Sequence, residues 1–495
     1  MKGGFTKLLV LVFVCSLTVQ AAEEFDTKAI DEYIESKMRL PRIPGMALAI
    51  VKDNEIVYLK GYGQADPSRR PMTPQTPLIL GSVTKSFTAL AMMQLVEAGK
   101  VELDAPVQKY IPWFRIADPN ASAQITVRQL LYQTSGLPML REPQFWTAQD
   151  PGALERTVRF LADKQMSFPP GHGFKYSNAN YETLGLIVQT ITGMSFEDYV
   201  RQNIFVPLEM KNSFASQDEA LKQGMATGHR WWFGVPVAVT FPLNRSELPA
   251  GYLISSAEDM AHFMIAEMNG GQYRNVSVLS SDGIALTHTS PRFYAMGWEL
   301  LDIDGRRLIN HEGGTANFET SVFLDPEAHV GVFIGANVMS ALDAFSSPHG
   351  NEPLDGQTVR AVGLTVLNMT THRPLPDQGH GIRRLYLLFD LVVLVFTVLL
   401  IISILRMRRR YHRLKEQGIT GWSIVWAIAH FALPLFVLYL TVRVFFWQVL
   451  RMFQPDFYYW LTGVAIVLFV KGLIEIAMII SHKKAQKAQQ SAEPI

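Results

Sequence analysis

Cysteine is almost missing from this 495-residue chain, and the single thiol, Cys15, lies in the first apolar run. Whatever follows that run is held without disulfides, so a buried core has to carry its stability, and a large domain can supply one. Charge is scarce as well. Charged residues make up 18% of the chain, and 45 lysines and arginines nearly cancel 44 aspartates and glutamates, leaving a net charge of +1. The basic excess of a phosphate-binding surface is lacking, which argues against nucleic acid as a partner. No internal repeat is visible.

What is plentiful is apolar surface: 48% of the residues, with a positive mean hydropathy. Part of such a chain belongs in a bilayer. Residues 1–21 place Lys2 and Lys7 before the apolar run Leu8 to Val14 and end on Val19-Gln20-Ala21, the layout of a secretory signal peptide, with an uncleaved anchor as the alternative. Three further apolar stretches, Tyr386 to Leu405, Trp422 to Val442 and Trp460 to Ile480, are long enough to cross a membrane as helices. The basic segment Arg406 to Lys415 and the cluster Lys483, Lys484 and Lys487 belong on the cytoplasmic side. The first span then runs inward, leaving residues 22 to about 380 outside, as an export signal also requires. Trp447, Tyr458, Tyr459 and Trp460 fall at the outer aromatic belt. Lys471 and Glu475 share a face of the third span and read as a mutually neutralising ion pair, or as part of a conduit or docking site; Asp390 and His430 are open to the same two readings. The expected organisation is a signal peptide at 1–21, an extracytoplasmic domain at 22–370, a linker at 371–384 rich in proline and glycine, a three-helix transmembrane bundle at 385–481 and a cytoplasmic tail at 482–495.

Within the outer domain, Asp26 or Thr27 caps a helix bearing Ile30, Tyr33, Ile34 and Met38 on one face. Met46 to Val51 and Ile56 to Leu59 flank Asp53-Asn54 as a hairpin. A helix from Thr84 to Ala98 buries Phe87, Leu90, Ala91 and Leu95, and others are expected at Asn180 to Thr192, Phe196 to Asn203 and Ala257 to Met268, the last two with Ser195 and Asp198, and Ser256 and Asp259, at capping-box spacing. Late strands fall at Met296 to Ile303, Arg306 to His311, Ser321 to Leu324 and Val330 to Ile334. Strands at both ends with helices between them predict an α/β domain: one antiparallel sheet built from both termini, flanked by helices, with an all-helical subdomain.

Three motifs occur in order: Ser82-Val83-Thr84-Lys85, Tyr176-Ser177-Asn178 and His311-Glu312-Gly313. Each alone is weak, since Ser481 to Lys484 and Tyr273-Arg274-Asn275 match the first two patterns by chance. Context separates them, because Ser82 and Lys85 open a periodic helix. One turn apart on that helix, a lysine reaches its serine, and the helix N-terminus favours a developing oxyanion. Lysine and tyrosine titrate roughly three units above neutral pH, so one of Lys85 and Tyr176 must be shifted to take the serine proton, and the sequence leaves open which. Asn178 would orient Lys85 and offer its amide to a substrate carbonyl. His311 is expected to end an edge strand, followed by Gly313-Gly314, where substrate backbone can pair closely, and the N–H groups of Gly314 and Ser82 are the candidate oxyanion hole.

With these motifs and the stretch Leu130-Leu131-Tyr132-Gln133-Thr134-Ser135-Gly136-Leu137-Pro138, residues 28–345 resemble the serine β-lactamase and penicillin-binding-protein family: class C β-lactamases, D-alanyl-D-alanine carboxypeptidases and D-aminopeptidases. The resemblance implies a β-lactamase/transpeptidase-like fold, an acyl-enzyme on Ser82, Lys85 and Tyr176 as the proton-handling pair, and no metal or cofactor. No K-[ST]-G occurs, and His311 stands in its place, which resembles the peptidase branch and ranks β-lactam hydrolysis low. An exported domain followed by membrane spans is similar to membrane-anchored peptidases that remove an N-acyl-D-amino-acid cap from natural products, and to FmtA-like proteins. Asn317-Phe318 is similar to the former and marks Asn317 as substrate-binding, whereas Glu247 differs from the residue expected to read D-asparagine. Glu312 replaces a small residue: either strand alternation turns it away from His311, or it faces the cleft, where it would repel a substrate's C-terminal carboxylate and count against carboxypeptidase activity. The expected function is a membrane-anchored extracytoplasmic serine hydrolase acting on a small peptide or N-acyl-D-amino-acid amide. Its rivals are an esterase using the same residues and a non-catalytic receptor for penicillin or wall peptides.

Overall fold

The computed structural model of the chain describes residues 25–39, 42–140, 149–303, 305–339, 359–375, 381–443, 451 and 455–490. The expected signal peptide with Cys15, the belt residue Trp447, the centre of the linker and the last residues of the tail lie outside them.

Helix α1 (Thr27–Arg39) starts where expected, the Asp26 carboxylate accepting the Ala29 N–H at 3.0 Å, and it buries Ile30 and Ile34 completely. Its Asp31 is held by three donors from one strand, Tyr58 and Tyr62 at 2.7 Å and Lys60 at 2.5 Å, which pins the helix across the sheet. Strands β1 (Gly45–Lys52) and β2 (Glu55–Gly63) form the expected hairpin. Asp53 and Asn54 both take positive φ, 51° and 66°, as a tight turn matching strand twist demands.

Two more strands, β3 (His229–Trp232) and β4 (Val235–Ala238), make a small hairpin beside the main sheet. The late strands are β5 (Glu299–Ile303), β6 (Arg306–Gly314), β7 (Glu319–Asp325) and β8 (Val330–Ala336). The main sheet is antiparallel with order β2-β1-β8-β7-β6-β5, so the N-terminal hairpin joins the C-terminal strand, in register Ala49 with Phe333 and Val322 with Phe333. The sheet built from both ends of the domain is therefore present. Strand β6 is not an edge strand over its whole length, since β5 covers it. That pairing stops at Asn310, which leaves His311 to Gly314 with a free side toward the cleft.

Helix α2 (Thr84–Glu97) is the central helix, buried almost all round from Thr84 to Met93 and not only on the face of Phe87 and Leu90. Helix α3 (Asn178–Thr192) packs on it and ends at Gly193 in the left-handed conformation. The helix expected at Phe196 to Asn203 is α-helical only to Val200 and continues as a π-turn over Arg201–Phe205. Helix α4 (Ala257–Met268) lies on the inner face of the sheet with the expected Ser256 cap.

The opposite face is covered by α1 and by α5 (Val359–Thr370), an element absent from the sequence expectation. Valines and leucines on nearly every side of α5 hide its period. A buried Arg306 ties this layer down, bonding Asp325 at 2.9 Å and Asn368 at 2.8 Å.

Among the described residues four helices follow: α6 (Gly381–Leu405), α7 (Met407–Gln417), α8 (Gly421–Arg443) and α9 (Pro455–Gln490). Three spans are expected from sequence. Among the described residues, two helices, over Leu387–Leu405 and Pro455–Ala488, are long and apolar enough to cross a membrane, while the apolar part of α8, Ile424–Tyr439, falls short. The basic segment between the first two is the amphipathic helix α7. Glu475 collects Lys471 at 3.6 Å, Arg410 at 3.1 Å and His430 at 3.0 Å, so the expected pair is one part of a four-residue cluster joining α7, α8 and α9.

Candidate active site

Ser82 sits in a 3-10 turn, Gly81–Val83, that runs directly into α2. The turn needs Gly81, whose φ is +56° and whose missing Cβ would lie 2.4 Å from the Gly314 nitrogen. Gly313 is needed for the same reason from the other side, a Cβ there meeting the Leu80 carbonyl oxygen at 1.8 Å. The two glycine-containing segments thus press the serine turn against the free end of β6, and the Thr320 hydroxyl locks the contact by donating to the Leu80 carbonyl at 2.6 Å.

Lys85, one turn along α2, is fully buried and donates to Ser82 Oγ at 3.0 Å and to the Ala250 carbonyl at 2.5 Å. Thr88 beside it bonds the Pro249 carbonyl at 2.7 Å, so the segment around Ala250 is clamped along the helix. Tyr176 completes the cluster: its phenol lies close enough to the Ser82 side chain to be influenced by it, and its ring centroid lies 4.8 Å from Lys85 Nζ. The alcohol, amine and phenol are in mutual contact.

Burial drives the Lys85 ammonium down to about 7, against the pull of Glu247 and Glu182. Burial also pushes the Tyr176 phenol well above its ordinary range despite the opposing influence of the Ser82 side chain, so it holds its proton. The free site therefore has a half-neutral amine and a protonated phenol near neutral pH.

Asn178 opens α3, and its amide lies 3.5 Å from the Glu247 carboxylate. Burial raises the Glu247 carboxyl, with Lys85 opposing. Glu182, one turn further along α3, is 2% exposed, and among the described residues its Oε2 has no hydrogen-bond partner. Burial pushes its carboxyl well up, with Glu247 adding to the rise and Lys85 opposing it. Sequence reasoning missed Glu182, although its spacing from Asn178 places both on one helix face.

His311 is 2% exposed. Burial first, then the charge of Lys85, brings its imidazole down to about 3, so it is neutral. Its Nδ1 lies 2.7 Å from the Glu312 carbonyl, which only accepts, so Nδ1 carries the hydrogen and Nε2 accepts from the Tyr294 hydroxyl at 3.2 Å. Tyr294 itself, 1% exposed and edge-on to Tyr176 with ring centroids 6.0 Å apart, belongs to a loop with no readable period. Glu312 turns away, as alternation requires, and pairs with Arg360 of α5 at 2.6 Å. Asn317 stands apart from the cluster: it is 4% exposed, and its amide is spent on the Val239 carbonyl at 3.0 Å and the Thr315 hydroxyl at 3.2 Å.

The Leu130 to Pro138 stretch braces the tyrosine loop. Gln133 Oε1 accepts from the Ser177 N–H at 2.9 Å and from the Asn180 amide at 2.5 Å, and Ser177 Oγ donates to the Pro138 carbonyl at 2.8 Å.

A family profile described as Beta-lactamase matches residues 30–349. The chain belongs to the beta-lactamase family. It shares the α/β fold of penicillin-binding-protein homologues and is a member of a hydrolase family. It is 30% identical over 315 residues to "Protein flp" of Staphylococcus aureus (strain MW2), covering 63% of either protein, so the chain spans less than two thirds of that relative's length. Penicillin-binding protein 4 of Amycolatopsis lactamdurans is 30% identical over 312 residues, 59% of this chain and 80% of that one. Among solved structures, the octameric penicillin-binding protein homologue from Pyrococcus abyssi superposes with a TM-score of 0.59 at 27% identity, over 70% of this chain and 78% of the other. The contacts in this beta-lactamase-family member that involve Ser82, Lys85, Tyr176 and the glycine turn all fall inside the matched region.

Proposed function

We propose that the protein is a membrane-anchored serine hydrolase, acting outside the cytoplasm, that cleaves an amide next to a D-amino acid through an acyl-enzyme on Ser82. The observation that carries this reading is the three-way contact of Ser82, Lys85 and Tyr176 with Lys85 brought down to about 7. Neutral Lys85 takes the proton of Ser82 as the oxygen bonds to the substrate carbonyl carbon, while the N–H groups of Ser82 and Gly314 receive the carbonyl oxygen. When the carbon–nitrogen bond breaks, the amine leaves with the Tyr176 proton, and Tyr176 is reloaded from the Lys85 ammonium. Water then releases the acyl group by the same route in reverse, and Asn178 holds the acyl carbonyl.

His311 favours amide over carboxylate recognition. A neutral imidazole in the place of a lysine brings no charge, its two nitrogens being engaged by the Glu312 carbonyl and the Tyr294 hydroxyl, and Glu312 itself is paired with Arg360, so neither residue attracts a free terminal carboxylate. The resemblance to D-alanyl-D-alanine carboxypeptidases and D-aminopeptidases supports the D-configuration in this reading. Anchoring is supported by the apolar helices at Leu387–Leu405 and Pro455–Ala488, and the outward placement of the domain by the basic residues of α7. In this reading residues 22–370 form the catalytic domain and the helices beyond 385 its anchor.

Matched D- and L-aminoacyl amides and short-chain p-nitrophenyl esters, assayed with the full chain and with Ser82→Ala, test the proposal. The expected result is turnover of D-amides, lost in the variant. Turnover surviving in Ser82→Ala, or confined to esters, contradicts it.

A further inference from the structure

The β3–β4 hairpin has the composition of a surface that is not meant to face water. Residues 231–243 carry no ionisable side chain. At its tip and along its outer strand Trp232, Phe233, Val235 and Val237 are 40%, 37%, 47% and 43% exposed, a contiguous apolar patch that would carry a hydration cost if it faced solvent. Its inner side is anchored: Trp231 is buried in the core between α1, α5 and the sheet.

The position of this patch identifies what covers it. The hairpin tip abuts the start of α9, where Phe233 N–H donates to the Asp456 carboxylate at 2.9 Å and the Trp232 ring lies 5.9 Å from that of Tyr459. Arg230 reaches the Arg451 carbonyl at 3.3 Å. The start of α9 bears Tyr458, Tyr459 and Trp460, residue types that collect at the boundary between headgroups and acyl chains. The Phe457 ring near the start of α9 lies 5.2 Å from that of Phe389 near the start of the apolar part of α6, so the two apolar helices begin at the same level. The exposed face of the hairpin is therefore continuous with the interfacial end of the apolar helices, and tryptophan, phenylalanine and valine suit that zone.

We propose that the β3–β4 hairpin enters the outer headgroup–acyl boundary of the bilayer and seats the catalytic domain on the membrane surface. This rests on the membrane-anchored reading above. The occupant of the patch is lipid. The consequence for the site comes through hydrogen bonds: the Val239 carbonyl just beyond β4 accepts the Asn317 amide at 3.0 Å, and the His229 N–H at the start of β3, bonded to the Asn337 carbonyl at 2.8 Å, is shared with the Asn317 carbonyl at 3.3 Å. Asn317 lies three residues past Gly314, so the hairpin that touches lipid also braces the turn beside the candidate oxyanion hole.

The test uses the full chain, with Cys15 replaced by serine, reconstituted in phosphatidylcholine–phosphatidylglycerol nanodiscs. Single cysteines at Phe233→Cys, at Leu394→Cys in α6 and at Lys222→Cys, an exposed position of the domain outside the hairpin, carry an environment-sensitive nitrobenzoxadiazole label. Phe233→Cys is expected to show blue-shifted emission quenched at least twofold more strongly by lipids spin-labelled near the headgroup than by chain-end labels. Leu394→Cys should be quenched by the chain-end labels, and Lys222→Cys by neither. Water-like emission from Phe233→Cys with Leu394→Cys quenched overturns the hairpin proposal and leaves the anchor standing. Loss of quenching at both sites overturns the anchor with it. Protection of Phe233→Cys that appears only when two chains share a disc, with disulfide cross-linking between copies, assigns the patch to self-association and also overturns the proposal.

Discussion

At the residue scale, the chemistry rests on a lysine that burial has brought into the neutral range. Because the proposed acylation needs neutral Lys85, kcat/KM should rise with pH and level off above about 7, and fall as protonation takes over below it. The carboxylate of Glu247 holds the proton on Lys85, so Glu247→Gln should move that limb to lower pH. A pH–rate profile of both proteins checks the pair, and a shift to higher pH in the variant contradicts the assignment. Lys85→Met should lower kcat by on the order of 10²–10⁴-fold, since it removes the proton acceptor and leaves the nucleophile in place. Ser82, Lys85 and Tyr176 were legible because each motif is short and keeps its own spacing. Glu182 and Tyr294 were not, because their relation to Lys85 and His311 exists only after α2, α3 and the loop before β5 have packed.

At the element scale, two supports hold the reactive groups in place. Gln133 accepts from two buried donors, the Ser177 N–H and the Asn180 amide. Gln133→Ala leaves both without a partner at a cost of about 1–3 kcal/mol each, and the loosened Tyr176 loop should lower kcat more than it raises KM. Thermal unfolding with steady-state kinetics measures both. Gly313→Ala forces a Cβ into the Leu80 carbonyl and should separate the serine turn from β6, so acylation should be lost even where the protein still folds. The sheet and most helices were readable from caps and periods, as the Ser256 cap of α4 and the Asp53-Asn54 turn illustrate. Helix α5 was not, because it is apolar on nearly every side. The free end of β6 was visible only in part: glycines mark where backbone approaches closely, but the residue at which β5 stops pairing is a property of the whole sheet.

At the scale of the whole molecule, α5 joins the main sheet to the C-terminal apolar helices while still belonging to the core. Val359, Val362, Leu364, Val366 and Leu367 are buried in that layer, and fully burying each contributes about 1.5–3 kcal/mol, together comparable with a domain's entire stability of ~5–15 kcal/mol. A chain ending after residue 375 should therefore retain a cooperative unfolding transition, and one ending after residue 340 should lose it, as circular dichroism on heating would record. The C-terminal helices were legible as apolar stretches, but the joining of Lys471 and Glu475 with Arg410 and His430 depends on helix packing that no single stretch encodes. The central claim, that this fold gathers Ser82, Lys85 and Tyr176 into one reactive group, meets its most direct test in mass spectrometry of the intact protein after reaction with a fluorophosphonate. A single adduct mapped to Ser82, and abolished by Lys85→Met, is the expected result; an unreactive Ser82, or an adduct on another serine, contradicts the claim.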